Sequence, residues 1–269
     1  MPTAEELQAK LDRLRARVEA KAVQEQKKIS ENLRHDLGEN TVVKANRLAR
    51  AYYRFDIVEK RIMEAMISQL NPKLADTQQC DFVELKAVDY AKLYGVAQPK
   101  AYQEMAKAVE RLMYTVMTIS GEKKKEQYTL MAKAEYVEGE GRIVACFNPL
   151  LTRYLVGLYK NFTTYRLKQG ANFKSSYTWR LFEIMMSWKK SDNPVAGWFT
   201  VSVDELKDML GAPRSYRFKD LRVRAIDKAV EEIHRELNIN VWYEPIKRGR
   251  KIDMLKFSFM EDEQKKLKF

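Results

Sequence analysis

Residues 215–259 read SYRFKDLRVRAIDKAVEEIHRELNINVWYEPIKRGRKIDMLKFSF. Leu221, Ala225, Ile226, Ala229, Val230, Ile233 and Leu237 recur at helical spacing, so one face of this stretch can pack on a core. Stepping round a regular helix carries Arg217, Arg224, Lys228 and Arg235 to the opposite face, with Asp220, Asp227 and Glu231 among them, and turns Arg222 toward the apolar stripe. Two alternating apolar runs follow, Ile239-Asn240-Val241-Trp242-Tyr243 and Met254-Leu255-Lys256-Phe257-Ser258-Phe259. They are joined through the basic turn Lys247-Arg248-Gly249-Arg250-Lys251, whose glycine suits a hairpin. Helix, strand, basic loop, strand is the order of a winged helix. A single charge run often marks only a solvated face; here helix and loop are basic together, which points to DNA.

The whole chain agrees with a polyanionic partner. Its 269 residues carry 49 Lys plus Arg against 37 Asp plus Glu, a formal charge of +12, and 45% hydrophobic residues suffice to fill real cores. Such a balance favours nucleic acid or an acidic membrane surface and does not choose between them. No apolar run is long enough to span a bilayer, and the acidic, polar start Met1-Pro2-Thr3-Ala4-Glu5-Glu6 does not read as a secretory signal, so a cytoplasmic protein without a membrane partner is expected. Cys80 and Cys146 lie in strand-like apolar surroundings and are expected to be buried reduced thiols.

Taken in order, the chain shows one module twice. Residues 3–36 read as a charged helix with Leu7, Leu11, Leu14 and Val18 spaced for a short zipper, or equally as a solvated helix. The pattern predicts a helix over Phe55–Leu70, a strand over Cys80–Leu85, a short helix ending Leu93-Tyr94-Gly95, and a longer one over Gln98–Thr115. That last helix has Lys100, Gln103, Lys107 and Arg111 on its outer face. Strands follow over Gln127–Val137 and Arg142–Phe147, joined through Glu138-Gly139-Glu140-Gly141. After an apolar helix over Leu150–Leu158 the order recurs: a helix over Tyr177–Lys190, the strand Trp198-Phe199-Thr200-Val201, and a helix capped by Ser202 with Glu205 at the capping-box position. Met209-Leu210-Gly211 ends that helix as Leu93-Tyr94-Gly95 ends its counterpart, and the basic helix and hairpin close the repeat. The expected architecture is α+β, mainly helical: an N-terminal helix over 1–38, a first winged-helix domain over 39–160 and a second over 161–269 that is the main DNA-reading head.

Certain patches, in this order, carry a resemblance. They are Phe147-Asn148-Pro149-Leu150-Leu151 with Tyr154-Leu155, Phe162-Thr163-Thr164-Tyr165-Arg166-Leu167, and Ser176-Tyr177 with Arg180-Leu181-Phe182-Glu183. Further on come Leu210-Gly211 with Ser215-Tyr216, Asp220-Leu221-Arg222-Val223-Arg224, Glu232-Ile233, and Lys247-Arg248-Gly249-Arg250. Together, over roughly residues 41–260, the chain resembles the iteron-binding plasmid replication initiator family. The resemblance implies two winged-helix domains, binding to directly repeated origin sites as a monomer, autorepression at an inverted operator as a homodimer, and recruitment of the host replication initiator and helicase in a bacterial cytoplasm. It also implies that Arg222 and Arg224 sit on the recognition helix and Lys247, Arg248 and Arg250 on the wing. The first module departs from the pattern, since its acidic wing, 138–141, suits protein pairing as well as phosphate contact.

The side chains expected to meet double-stranded DNA are therefore Lys100, Gln103, Lys107 and Arg111 in the first module. In the second they are Arg217, Lys219, Arg222, Arg224, Lys228, Lys247, Arg248, Arg250 and Lys251. Catalysis is not expected: His35 and His234, the only histidines, sit in separate helices where a rolling-circle initiator needs a metal-binding pair. No P-loop glycine pattern occurs, and no metal or cofactor is expected. A winged-helix repressor without an initiation role is the alternative reading, and a basic protein acting on RNA or membrane a third.

Overall fold

Two modules with the same strand order stand in tandem in a computed structural model, which describes residues 36–72, 82–121, 124–137 and 139–262. The zipper expected near the N-terminus falls outside the described residues. β1 (Thr41–Ala45) and α1 (Asn46–Ala49) lead into α2 (Ile57–Ile67), β2 (Phe82–Lys86), α3 (Ala87–Tyr94) and α4 (Gln98–Tyr114). Then come β3 (Val116–Ser120), β4 (Lys125–Thr129), β5 (Met131–Val137), β6 (Arg142–Phe147), α5 (Pro149–Thr152) and β7 (Phe162–Arg166). The second module comprises α6 (Ser176–Ser187), β8 (Lys189–Asp192), β9 (Val195–Ser202), α7 (Val203–Leu210) and α8 (Phe218–Leu221). A π-helical turn, Arg222–Ile226, continues α8 into α9 (Asp227–Leu237), and β10 (Ile239–Arg248) and β11 (Lys251–Glu261) close the chain.

The repeat seen in the sequence is a repeat of topology. One sheet has the order β2-β6-β5, the other β10-β11-β9 with β8 added outside β9. In each sheet, the strand before the helix pair is hydrogen-bonded to the second strand of the hairpin that follows it. Local signals place the matching helix ends. Ser202 and Glu205 form the expected capping box at α7, and Asp56 with Glu59 forms another at α2. α3 and α7 end on Gly95 and Gly211, both left-handed at φ 62 and 66. Gly211 is doubly required, because a Cβ there would lie 2.3 Å from the Tyr53 carbonyl oxygen.

Several expectations need correction. The chain is not mainly helical: among the described residues eleven strands form four sheets. The run Gln127–Val137 is two strands, because the Leu130 amide bonds to the Thr115 carbonyl and turns the chain from its pairing with β3 to a pairing with β6. The helix predicted over Leu150–Leu158 is only α5; beyond it the Gly157 amide is taken by the Pro72 carbonyl, which no continuing helix permits. α6 stops at Ser187 because Lys189–Asp192 pairs along β9 as an edge strand. Cys146 is not the reduced thiol expected but is disulfide-bonded. Its strand pairs with β2, with Phe82 opposite Cys146; Cys80 lies outside the described residues. β1 has no counterpart in the sequence reading, and it pairs with β7, the strand that opens the stretch 161–269.

A buried ionic cluster lies where β1 and α2 meet α6. Lys44 on β1 donates to Glu64 on α2 and to Glu183 on α6, each at 2.6 Å. Lys60 on α2 reaches the same two carboxylates at 2.6 and 2.5 Å. Arg180 donates to Glu183 at 3.0 Å, to the Tyr53 hydroxyl at 2.6 Å, to the Ala51 carbonyl at 2.6 Å and to the Met209 carbonyl at 2.8 Å. The Tyr165 hydroxyl sits between Glu64 (2.9 Å) and Glu183 (3.0 Å) and accepts from the Trp179 indole at 3.1 Å. All five charged side chains are 2% exposed or less. Burial opposes the Glu183 carboxylate, but Lys44, Lys60 and Arg180 outweigh it and hold the group well below the usual carboxylate range. Burial, reinforced by both glutamates, pushes the Tyr165 hydroxyl far up.

Glu183→Gln is predicted to cost about 3–5 kcal/mol of unfolding free energy, because it strands buried cations. Urea denaturation of the variant measures it, and a loss under 1 kcal/mol would contradict the cluster's role. Glu183's folded pKa lies below its ordinary 4.5. Its stabilisation is therefore complete above that pH and drains away as pH falls below it, and the variant is expected to lack this acid limb.

Candidate nucleic-acid interface

The cationic helix α9 is held from behind. Glu232 is buried and accepts the Thr178 hydroxyl and, at 2.9 Å, the Lys174 amide, which fastens α9 to α6. Leu221, Ala225, Ile226, Ala229 and Ile233 pack inward on the same side. Arg217, Lys219, Arg222, Arg224 and Lys228 are all exposed on the other, and Arg214, in the turn before α8, joins them. Arg214 escaped the sequence reading because it precedes the helical pattern, although its charge beside Ser215 was visible.

Arg222 corrects an expectation. The Asp227 amide donates to the Arg222 carbonyl, five residues back, so this segment is a π turn and not α. The wider turn shifts the helical phase, and Arg222, Val223 and Arg224 all face solvent while Ala225 and Ile226 remain buried. A wheel drawn at a constant angle per residue turns Arg222 inward only because it ignores that shift. The Arg222 guanidinium lies 3.6 Å from Asp227. Arg224 lies over the Tyr216 ring, 5.3 Å from its centroid, and 3.8 Å from Asp220. Exposed pairs of this kind are weak, so both arginines can exchange a carboxylate for a phosphate or a base edge.

The wing is built by register. Arg248 pairs with Lys251, leaving Gly249 and Arg250 as a two-residue turn. Gly249, at φ +63, takes the first turn position, where a glycine is wanted. β9 accompanies β11 only between Met254 and Met260, so the tip beyond is two-stranded and projects from the sheet. Lys247, Arg248, Arg250 and Lys251 are exposed on it, with Arg248 paired to Asp253 at 2.9 Å. At its base the Tyr243 hydroxyl donates to Asp227 at 2.5 Å, tying wing to recognition helix. Burial, then that hydrogen bond, pushes the Tyr243 hydroxyl up.

The first module repeats the frame with a different charge arrangement. Lys100, Gln103 and Lys107 are exposed along α4, Lys100 standing 3.6 Å from Glu104. Arg111 bridges instead to the start of α2, 2.8 Å from Asp56 and 2.7 Å from Glu59, and so has a structural task in the free protein. In the wing, Arg142 is engaged by Glu140 at 2.6 Å and Glu84 at 3.0 Å. The cations of the second module thus face outward, whereas two of the first module's arginines are held by its own carboxylates.

Residues 41–186 match the family model described as initiator replication protein, WH1, and residues 202–259 the one described as initiator Rep protein, WH2. Among characterised sequences, the chain is 23% identical over 262 residues to the PI protein of Escherichia coli, covering 85% of each chain. It is 23% identical over 209 residues to an uncharacterized 27.6 kDa protein of the same organism, covering 72% of this chain and 84% of that one. Among solved structures, the Pi initiator protein in complex with iteron DNA superposes with a TM-score of 0.67 at 21% identity, over 84% of this chain and 99% of that chain. At that identity the likeness is one of fold.

Helix and wing are predicted to separate by their response to DNA sequence. Arg248→Ala should weaken specific and random duplexes alike and lower the slope of log affinity against log salt by about one. Arg224→Ala should weaken the specific site between about 5- and 150-fold and relax preference at one base pair. Fluorescence anisotropy over a salt series and a single-base-substitution panel reads both; a uniform loss for Arg224→Ala would assign that residue to phosphate.

Proposed function

This chain belongs to the initiator replication protein family with paired WH1 and WH2 domains, and from that premise we propose that it starts plasmid replication by sequence-specific binding to directly repeated origin sites. The single observation that carries the DNA-binding step is the outward cationic face shared by the π turn, α9 and the β10–β11 tip. It binds, on this reading, as a monomer and without catalysis of its own. A second copy, the host replication initiator and the host helicase are its protein partners, and the homodimer represses its own gene. The bacterial cytoplasm is where it acts.

Both modules act as one reading device. The ionic cluster joins β1 and α2 to α6 without a flexible spacer, so the two recognition helices present themselves together. Helices entering successive major grooves on one face of a duplex lie about one turn, roughly 34–36 Å, apart. Lys100, Gln103 and Lys107 serve one half-site, Arg217, Lys219, Arg222, Arg224 and Lys228 the other, and the wing residues Lys247, Arg248, Arg250 and Lys251 follow the backbone. Arg111 joins the first set only by giving up Asp56 and Glu59. Because the modules differ in sequence, the half-sites differ too, which suits a direct repeat and not a palindrome.

The initiation reading is tested by placing the gene and its flanking DNA on a marker circle, which is expected to replicate in a permissive host. Loss of replication with Arg224→Ala and its return with the wild-type chain supplied in trans support the assignment; repression without replication would overturn it. Footprinting one repeat with monomer tests the paired-module reading. Protection of about two helical turns is expected, shortened by Gln103→Ala with Lys107→Ala, and an unchanged footprint in that variant would remove the first module from DNA reading.

A further inference from the structure

Val223 stands out in the cationic face. It is 46% exposed, between Arg222 and Arg224, in the second turn of the helix that begins at Phe218. In an unbroken α-helix it would lie about 60° from Ile226, at the edge of the buried stripe. Across the π turn it is exposed together with its two neighbours, while Ala225 and Ile226 stay buried at 1% and 0%. Recognition helices meet base edges with their N-terminal turns, and there the one apolar group a base pair offers in the major groove is the thymine 5-methyl.

We infer that Val223 is a base-reading residue, seated against a thymine methyl while Arg222 and Arg224 contact the polar groups on either side. The inference rests on the assignment of this helix as the one that enters the groove. Contact between the isopropyl group and the methyl excludes water from both and needs no hydrogen-bond donor. It discriminates thymine from cytosine and from uracil, which differ from it there by a methyl. The π turn thus leaves an apolar side chain exposed between two exposed arginines, while Ala225 and Ile226 anchor the helix.

Replacing thymine by uracil removes the methyl and leaves every hydrogen-bonding group in place. The probe is the duplex that the wild-type chain enriches from a random-sequence pool, remade with each dT in turn changed to dU. Wild type is expected to lose roughly three- to five-fold affinity at one position, as one buried methyl dictates, and V223A to bind the dT and dU duplexes alike there. R224A is expected to keep the dT-over-dU difference while losing preference at its own base pair. A scan that is flat for wild type, or a dU penalty that V223A retains, overturns the inference and leaves DNA reading by the helix intact. Failure of the wild-type chain to enrich any sequence overturns that reading and the inference with it.

Discussion

Five charges buried where β1 and α2 meet α6 constrain everything else. Lys44, Lys60 and Arg180 face Glu64 and Glu183 in a site closed to water, where an isolated ion is costly and a completed set is tolerated. Such a cluster adds little stability over apolar packing of the same volume. Its effect is on choice: any other docking of β1 and α2 on α6 would part Lys44 and Lys60 from Glu183. The hydroxyls of Tyr53 and Tyr165 and the Trp179 indole occupy remaining hydrogen-bonding positions, so the cluster has one favourable arrangement.

That arrangement reaches the cationic elements by short steps. Arg180 holds the Met209 carbonyl near the end of α7, and Arg54 from the first module donates to the Gly211 carbonyl at 3.1 Å. Gly211 opens the turn into α8, so the chain before α2 braces the turn that aims the cationic helix. From the other side, Glu232 fixes α9 to α6, the helix that carries Arg180 and Glu183. The wing follows through Tyr243 and Asp227. Orientation of the basic face is therefore a property of both modules together.

The modules share a topology and differ in what their arginines hold. In the first, Arg111 and Arg142 hold carboxylates of their own module at 2.6–3.0 Å; in the second, Arg248 holds Asp253 at 2.9 Å, but Arg222 and Arg224 stand 3.6 and 3.8 Å from their exposed partners. One frame thus supports two surfaces, one strongly cationic and one nearer neutrality. Duplicated winged helices can divide labour in this way without altering their cores, since the differences lie at exposed positions that packing does not constrain.

The sequence by itself determined the elements whose causes are local. Apolar period set the helix stripes, the Ser202–Glu205 box and the two glycines at 95 and 211 set matching helix ends, and Lys247 to Lys251 announced a basic hairpin. Each depends on residues a few positions apart. Tertiary structure alone decided the rest. Nothing near Lys44 or Glu183 in the chain shows that they meet, because 139 residues separate them. The pairing of β1 with β7 is equally remote, and it places a strand where no alternation was read. The outward turn of Arg222 was hidden for a different reason: a periodicity argument assumes one helical angle throughout, and the π turn changes that angle between Arg222 and Asp227.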